Sequence, residues 1–388
     1  QVLLDRGADV NARAGQYDSA LQAASHGGYD TVVQLLLDRG ASVNAEGGDY
    51  GNALQAASYE GRYRIVQLLL DKDANISAEG GWYGSALQAA SAEGHDKVIQ
   101  LLLDRGAEVS AQGGLYGNAL QAASSGGFDD IVQMILDRGA DVNAEGGEYG
   151  NALQAASYGG HDSLVQLFLN RGVDVNAEGG KYGNALQAAS SGGHEIIVQL
   201  LLDRGGDVNA RGGHHGSALQ AASCGGFAHI VQMLLDRGAD VNARGGHYGN
   251  ALQAACSGGY DDVVQVLLDR GADVNARAGE YDSALQAASF GGYNKVVQLL
   301  LDRGANINAR GGTDGNALQA ASSGGYDDIV QVLLDRGADV NARAGQYDSA
   351  LQAASHGGYD TVVQLLLDRG ASVNAEGGDY GNALQAAS

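Results

Sequence analysis

The pentapeptide Ala-Leu-Gln-Ala-Ala at residues 20–24 decides the fold, because it recurs along the whole chain at a fixed interval of 33 residues. A period that never slips is typical of a solenoid, in which each short repeat buries its apolar face against its neighbours. The sequence therefore predicts a single array of about 11 to 12 repeats over residues 1–388. The copies begin at Ala20, Ala53, Ala86, Ala119, Ala152, Ala185, Ala218, Ala251, Ala284, Ala317, Ala350 and Ala383.

A longer period lies above the first. Residues 331–388 are identical to residues 1–58, an offset of ten repeats, and independent drift would have broken that identity. Gln1 begins inside a second helix and Ser388 closes a first helix, so we expect an array truncated in mid-repeat at both ends.

The composition supports a packed array and argues against several classes of partner. Hydrophobic residues make up 44% of the chain, 62 glycines supply turns, and proline is absent. The formal net charge of −23 predicts no nucleic-acid or membrane partner. Cys224 and Cys256 lie in adjacent repeats, too far apart for a disulfide, so we expect free thiols and a cytoplasmic location.

Residues 14–46 show how one repeat is built. Ser19, or Asn in other repeats, is expected to cap a first helix that ends at Gly27 and Gly28. Asp30 is expected to cap a second helix over residues 31–39, buried on several sides and followed by Gly40. Residues 41–51 predict a projecting β-turn or hairpin, and the expected fold class is all-α with short β-hairpins.

The stretch Leu-Leu-Leu-Asp-Arg-Gly-Ala-Ser-Val-Asn-Ala at residues 35–45, together with the helix opening at residues 19–24, resembles the ankyrin repeat. The resemblance covers the whole chain and implies a non-enzymatic solenoid that binds protein partners. In place of the family's usual Thr-Pro-Leu-His, residues 19–22 read Ser-Ala-Leu-Gln. The Gly-Gly-x-Tyr-Gly style is similar to the ankyrin arrays of filamentous fungi, which are often attached to nucleotide-binding signalling proteins. Asp73 replaces the glycine after a second helix, which predicts the least regular repeat.

Two positions vary most between the copies, and the resemblance implies that both contact partners. One is the hairpin tip, the residue before the recurrent tyrosine, and the other is the end of the first helix. The alternative is that apolar residues at these positions are merely scattered on the surface, which is normal. The candidate partner-binding residues are Trp82, Leu115, Lys181, His214 and His247 at tips, and Tyr59, Tyr158 and Phe290 on first helices.

A third position, three residues before the tip, alternates in blocks of charge. It holds Glu46, Glu79, Gln112, Glu145 and Glu178, the Glu row, and then Arg211, Arg244, Arg277, Arg310 and Arg343, the Arg row. Arg13 and Glu376 continue the ten-repeat cycle. The blocks are either relics of gene duplication, with solvated side chains, or a register for lateral pairing between two rods.

Other candidate sites have plainer explanations. The recurrent tyrosines predict a structural stack in which each ring packs on the adjacent hairpin. His214, His215 and His247 lie on adjacent hairpins, but no carboxylate or thiolate has a spacing that completes a metal site, so we expect no metal and no cofactor. A repeating surface offers no unique pocket, so we expect no catalysis. The tyrosines are Tyr17, Tyr50, Tyr83, Tyr116, Tyr149, Tyr182, Tyr248, Tyr281, Tyr347 and Tyr380, with His215 and Asp314 as exceptions.

Two functions remain open from the sequence. The first is a recognition array or scaffold that binds protein partners through its hairpin tips and first helices. The second is a structural rod or filament that assembles from other copies of itself, end to end and through lateral contacts.

Overall fold

Small residues make the first helix of every repeat a packing element. In the helix at residues 53–59, Ala53, Leu54, Gln55, Ala56, Ala57 and Ser58 are all buried. The alanines let neighbouring helices approach closely, and first helices of successive repeats pack against one another and against their own second helices. The fully buried residues of the first helices, together with three apolar positions of each second helix, form the core within each compact body.

The computed structural model describes residues 1–379 and 381–388, and within them it places 24 helices and ten hairpins that each close on a single β-bridge. None of these helices is long and apolar enough to cross a membrane. The helices are α1 (Val2–Asp5), α2 (Ala20–Gly27), α3 (Asp30–Asp38), α4 (Ala53–Tyr59), α5 (Tyr63–Asp71), α6 (Ala86–Ala92), α7 (Asp96–Asp104), α8 (Ala119–Gly126), α9 (Asp129–Asp137), α10 (Ala152–Gly159), α11 (Asp162–Asn170), α12 (Ala185–Gly192), α13 (Glu195–Asp203), α14 (Ala218–Cys224), α15 (Ala228–Asp236), α16 (Ala251–Gly258), α17 (Asp261–Asp269), α18 (Ala284–Phe290), α19 (Asn294–Asp302), α20 (Ala317–Ser323), α21 (Asp327–Asp335), α22 (Ala350–His356), α23 (Asp360–Asp368) and α24 (Ala383–Ala386).

The chain forms two compact bodies. The first body comprises Gln1–Ala189 and Asp203–Gly206, and the second comprises Ser190–Leu202 and Asp207–Ser388. Each body repeats the same order of first helix, tight turn, second helix and hairpin.

The predicted signals at the helix ends are confirmed for the first helix. The Ser19 hydroxyl accepts a hydrogen bond from the backbone N–H of Gln22 at 3.1 Å, and the Asn52 side chain does the same for Gln55 at 2.9 Å. Gly28 takes the left-handed conformation that ends α2, with φ of 75°, and Gly40 does so after α3, with φ of 84°. These glycines supply a positive φ that most side chains resist.

Three expectations about the second helix are wrong. Asp30 does not cap α3, because it is the first helical residue. The N-cap residue is Tyr29, whose side chain makes no capping hydrogen bond. The Asp30 carboxylate instead stabilises the helix through its interaction with the positive end of the helix dipole. The helix is buried along one stripe only, represented by Ile65, Val66 and Leu69 in α5. The repeat around Asp73 is regular, because Asp73 itself adopts a φ of 61° and α5 keeps nine residues.

A buried glutamine ties each repeat to the next one. The Gln55 side-chain amide donates hydrogen bonds to the carbonyls of Gly84 at 2.9 Å and Gly80 at 3.2 Å, both in the hairpin of the following repeat. Gly84 is buried and its carbonyl also accepts the N–H of Gly80 at 2.8 Å, so the glutamine supplies a second donor that links the hairpin to the preceding repeat. A bond to at least one of the two equivalent hairpin carbonyls is made by Gln22, Gln55, Gln88, Gln121, Gln154, Gln220, Gln253, Gln286, Gln319 and Gln352.

A second tie runs along the solvent side of the loops. The Asn44 side chain donates to the carbonyl of Asp73 at 3.1 Å and accepts from the backbone N–H of Asn75 at 2.7 Å. Equivalent pairs of bonds are made by Asn11, Asn209, Asn242, Asn275 and Asn341. The asparagine of the Val-Asn-Ala stretch is therefore a bridge between repeats.

Replacement of the buried glutamine tests the first tie. Gln154→Leu keeps the volume but removes the side-chain donor to the Gly179 carbonyl and one of the two donors to the Gly183 carbonyl, which still accepts the Gly179 N–H. This loss is expected to cost about 1–3 kcal/mol of stability. Gln166→Leu on the outer side of α11 is the matched control and is expected to change stability by less than about 0.5 kcal/mol. Urea unfolding of both variants makes the comparison, and equal effects would contradict the tie.

Two repeats lack the bridging asparagine, because Ser77 and Ser110 occupy its position. Ser77→Asn and Ser110→Asn each place an amide where it can reach two backbone groups of the next repeat. We expect each to raise stability by about 0.5–1 kcal/mol in urea unfolding. The reverse change, Asn275→Ser, is expected to lower it by a similar amount, and no change in either direction would contradict the bridge.

Candidate functional site

The hairpin tips of the first body are joined by a row of main-chain hydrogen bonds, the tip ladder. The N–H of Trp82 donates to the carbonyl of Asp49 at 2.9 Å, and the N–H of Leu115 donates to the carbonyl of Trp82 at 2.8 Å. The row continues through Glu148 at 2.8 Å to Lys181 at 2.7 Å. The second body has the same bond between His214 and His247, Thr313 and Gln346, and Gln346 and Asp379. Residues that are 33 apart in sequence therefore stand side by side on a fixed backbone.

The predicted tyrosine stack lies beneath the tips and is confirmed in the first body. Rings of Tyr83, Tyr116, Tyr149 and Tyr182 stack in succession with centroids 6.4, 6.1 and 6.0 Å apart, and Tyr17 stacks on Tyr50 at 5.9 Å. Burial raises the pKa of Tyr83, Tyr116, Tyr149 and Tyr182, so these phenols stay neutral. Tyr380 lies outside the described residues.

Two candidate partner-binding residues belong to this stack. Tyr59 lies between Tyr50 and Tyr83, with centroid distances of 5.4 and 4.7 Å, and Tyr158 lies 4.4 Å from Tyr182. Both are half-buried. The structure thus gives Tyr59 and Tyr158 an internal packing role, and contact with a partner at these residues stays a prediction.

The other candidates at the tips and helix ends differ in their exposure to solvent and in whether they are already paired within the chain. Trp82 is 67% exposed and Leu115 is 42% exposed, on consecutive tips. Lys181 is held by Glu148 at 2.9 Å and stands 5.7 Å above the Tyr182 ring, so part of its charge is already neutralised. The largest free apolar surface on the tips of the first body is therefore that of Trp82 and Leu115.

In the second body, the candidates form small local clusters. The rings of His214 and His247 stack at 5.6 Å, and His247 Nε2 lies 3.1 Å from a Glu280 carboxylate oxygen. Phe290 is 44% exposed and packs 5.5 Å from Tyr281. Among residues 1–379 and 381–388 no group of three or more His, Cys, Asp or Glu side chains is arranged to hold a metal ion.

The cysteines are packing residues in this arrangement. Cys256 is fully buried at the position where other repeats carry a buried serine, and Cys224 is half-buried; both are free thiols. Burial raises the pKa of the Cys256 thiol, which disfavours the reactive thiolate.

The two charged rows differ in what they contact. Glu46, Glu79, Glu145 and Glu178 are exposed and form no ion pair within the described residues. In the Arg row, Arg277 pairs with Asp282 at 2.5 Å and Arg343 pairs with Asp348 at 2.7 Å, while Arg211 lies 3.9 Å from Asp240. Lateral pairing of the rows stays a prediction, and fewer arginines are free for it than the sequence suggests.

The paired arginines belong to a distinct class of hairpin. Asp18, Asp282 and Asp348 occupy the bridge position that glycine holds elsewhere, and their φ angles are 59°, 66° and 65°. An aspartate in that region is strained by roughly 1 kcal/mol. The ion pair with an arginine five residues earlier offsets this strain, and the same guanidinium of Arg277 also donates to the carbonyl of Arg310 in the next repeat. Sequence reasoning missed this pairing, although the repeats that carry Asp at the bridge all carry Arg-Ala-Gly before the tip.

One position interrupts the tyrosine stack with a half-buried carboxyl. Asp314 stands where the neighbouring repeats have Tyr281 and Tyr347. Burial, and then the negative charge of Glu280, raises the pKa of the Asp314 carboxyl. The folded state therefore holds the Asp314 proton more tightly than the unfolded state does, and ionisation of this carboxyl weakens the fold at this repeat.

The pH dependence of this effect has a definite sign. Because the folded-state pKa is raised, the stabilising contribution of Asp314 is present below its unfolded pKa of about 3.9 and is lost as pH rises through the folded value. We expect Asp314→Asn to raise the thermal midpoint at pH 7, with a smaller gain at pH 4. The exposed Asp328→Asn is the control and is expected to give no gain at pH 7. A gain for Asp314→Asn that is equal at both pH values would contradict the explanation.

The chain is similar to known repeat proteins in both sequence and structure. The sequence profile of a family described as ankyrin repeats (3 copies) matches residues 1–80, 78–146, 120–212, 152–245, 213–278, 252–344 and 284–377. The crystal structure of the human ASB11 ankyrin repeat domain is similar, with a TM-score of 0.50 and 26% sequence identity, over 57% of this chain and 98% of that one. In all, 523 solved chains match, so the fold alone does not single out a partner. No curated protein sequence matches the chain.

Proposed function

The chain belongs to the ankyrin-repeat family, whose members are generally protein-interaction modules, and we propose that this one binds protein partners through its hairpin tips and the ends of its first helices. The observation that carries the proposal is the pair Trp82 and Leu115, exposed on consecutive tips. Tryptophan at the centre of an interface is a frequent anchor of binding energy.

The backbone beneath these two residues supports the same function. Trp82 and Leu115 are joined by a main-chain hydrogen bond of 2.8 Å, and the stacked rings of Tyr83 and Tyr116 lie under them. A platform that is already ordered loses little conformational entropy when a partner binds, and more of the contact energy then appears as affinity.

The proposal also extends to what the chain does not do. Ankyrin-repeat proteins are typically binding scaffolds, and we propose that this one is non-enzymatic, because side chains that recur from repeat to repeat single out no one position for a nucleophile and its base. The charge of −23 supports protein rather than nucleic acid as the partner. A self-assembling rod remains the alternative function, and it has less support because Arg277 and Arg343 are paired within their own hairpins.

The Trp82 anchor is tested with binders that are selected without bias. Peptides from a random display library are selected on the intact chain, and their affinities are measured for Trp82→Ala. A buried tryptophan anchor is worth about 2 kcal/mol or more, so most selected peptides should bind at least about 30-fold more weakly.

Ile196→Ala is the matched control, because Ile196 is 69% exposed but lies on a second helix rather than on a tip. It should leave peptide affinity unchanged, and neither variant should lower the thermal midpoint much. Selected peptides that bind Trp82→Ala as tightly as the parent chain would contradict the proposal.

A further inference from the structure

The apolar pair on the first body is flanked by negative charge, of which, among the described residues, only Glu148 is paired with a cation, Lys181. The tips on either side of Trp82 and Leu115 are Asp49 and Glu148, and the exposed Glu row begins the same hairpins. Across the five hairpins at residues 46–51, 79–84, 112–117, 145–150 and 178–183, Lys181 is the one basic residue, and it is already paired with Glu148. A partner for this surface must therefore supply positive charge around an apolar centre.

The spacing of the tips restricts the shape of that partner. The rings under successive tips are 6.4, 6.1 and 6.0 Å apart, and the tips themselves are joined by direct main-chain hydrogen bonds. An extended chain advances about 3.3 Å per residue, so every second residue advances roughly 6.6 Å and points to the same side. Alternate residues of an extended segment thus follow successive tips at a similar spacing and all point to one side. In an α-helix, with 3.6 residues per turn, no whole number of residues returns the side chain to the same direction, so successive contacts rotate away from the tips.

We propose that the hairpin face at residues 46–183 holds an extended segment of a partner protein with the pattern basic-x-apolar-x-apolar-x-basic. The two apolar side chains contact Trp82 and Leu115. One basic side chain faces Glu46 and Asp49, and the other faces Glu145, since Glu148 is already paired with Lys181. The pattern reads the same in both directions, so it requires no particular polarity of the bound strand. This inference rests on the proposed function and adds the chemistry and the conformation of the partner.

A second copy of the chain is the competing occupant, because its Arg row has the same 33-residue repeat. The contacts favour the free segment. Arg277 and Arg343 already pair with Asp282 and Asp348, and both also donate to main-chain carbonyls of the following repeat. Breaking those contacts would offset much of the gain from lateral pairing, since exposed ion pairs are individually weak.

The test compares two labelled peptides of identical composition. Lys-Ser-Leu-Ser-Leu-Ser-Lys presents both leucines on one side of an extended chain, and Lys-Ser-Leu-Leu-Ser-Ser-Lys presents them on opposite sides. Fluorescence anisotropy with the full chain should show at least about tenfold tighter binding of the first peptide. Trp82 is the single tryptophan of the chain, so its emission reports directly on occupancy of this face. Equal affinities, or binding without a change in Trp82 emission, would overturn the proposal.

Two charge variants distinguish the effect of the carboxylates on the hairpin face from the effect of the net charge of the chain. Glu46, Glu79, Glu145 and Glu178 are changed together to Gln, and Asp30, Asp96, Asp130 and Asp162 at the starts of second helices are changed together to Asn. Both variants lose four negative charges. The first should weaken binding of the alternating peptide by about tenfold and reduce its salt dependence, part of which remains through Asp49. The second should weaken binding by less than about twofold. Equal losses would show that only the net charge matters and would overturn the proposal.

Two further outcomes tell the hypotheses apart. If library-selected peptides depend on Trp82 but the alternating peptide gains nothing over its permuted control, the inference fails and the proposed function stands. If sedimentation shows that the chain pairs with itself in the absence of peptide, and the change of the four Glu row residues to Gln abolishes that pairing, a second copy occupies the face and the inference is overturned.

Discussion

The glutamine of Ala-Leu-Gln-Ala-Ala is the contact on which the rest of the structure depends. It is buried in a helix of small residues, where an unpaired N–H donor would be costly, and its Nε2 donates to hairpin carbonyls of the following repeat at 2.8–3.2 Å. The helix thereby fixes the position of the next hairpin rather than its own. Once each hairpin is fixed, its tip meets the preceding tip at hydrogen-bond distance and its tyrosine meets the preceding ring. The ordered platform under Trp82 and Leu115 is a consequence of an interaction inside the core.

Much of this fold follows from the sequence alone, because it depends on local chemistry that repeats. The caps at Ser19 and Asn52, the positive φ of Gly28 and Gly40, and the tyrosine stack are each determined by a residue type at a fixed position. The sequence shows that Gln22 stands where the ankyrin family usually has histidine, but it does not show what Gln22 does. The hydrogen-bond acceptor of Gln22 is a backbone carbonyl 25 residues away. Backbone groups carry no signal in a sequence pattern. The same holds for Asn44, whose two partners are main-chain atoms of the next repeat.

The expectations that failed did so for an identifiable reason. Aspartate is a frequent N-cap residue, but the N-cap of α3 is Tyr29 and Asp30 is already helical. Its carboxylate therefore acts through the helix dipole instead of through a capping hydrogen bond. Asp73 was expected to disturb its repeat, yet an aspartate can adopt a φ of 61° when the surrounding repeats impose it. In both cases the neighbouring repeats decide the geometry, and a preference of roughly 1 kcal/mol at one residue is too small to change it.

The candidate site could be predicted only in part from the sequence, and the structure changes which of the candidate residues are free to contact a partner. Tyr59 and Tyr158 vary between copies as a contact residue would, but their rings fill the stack, so variation there also reflects packing. Arg277 and Arg343 looked free and are paired with Asp282 and Asp348, whereas Glu46, Glu79, Glu145 and Glu178 looked equivalent to them and form no ion pair in the described part of the chain. The two charged rows are therefore not mirror images. Arginines of the Arg row stabilise their own hairpins, whereas the carboxylates of the Glu row are exposed to solvent. The proposal of a cationic partner rests most directly on this unpaired negative charge beside exposed apolar tips.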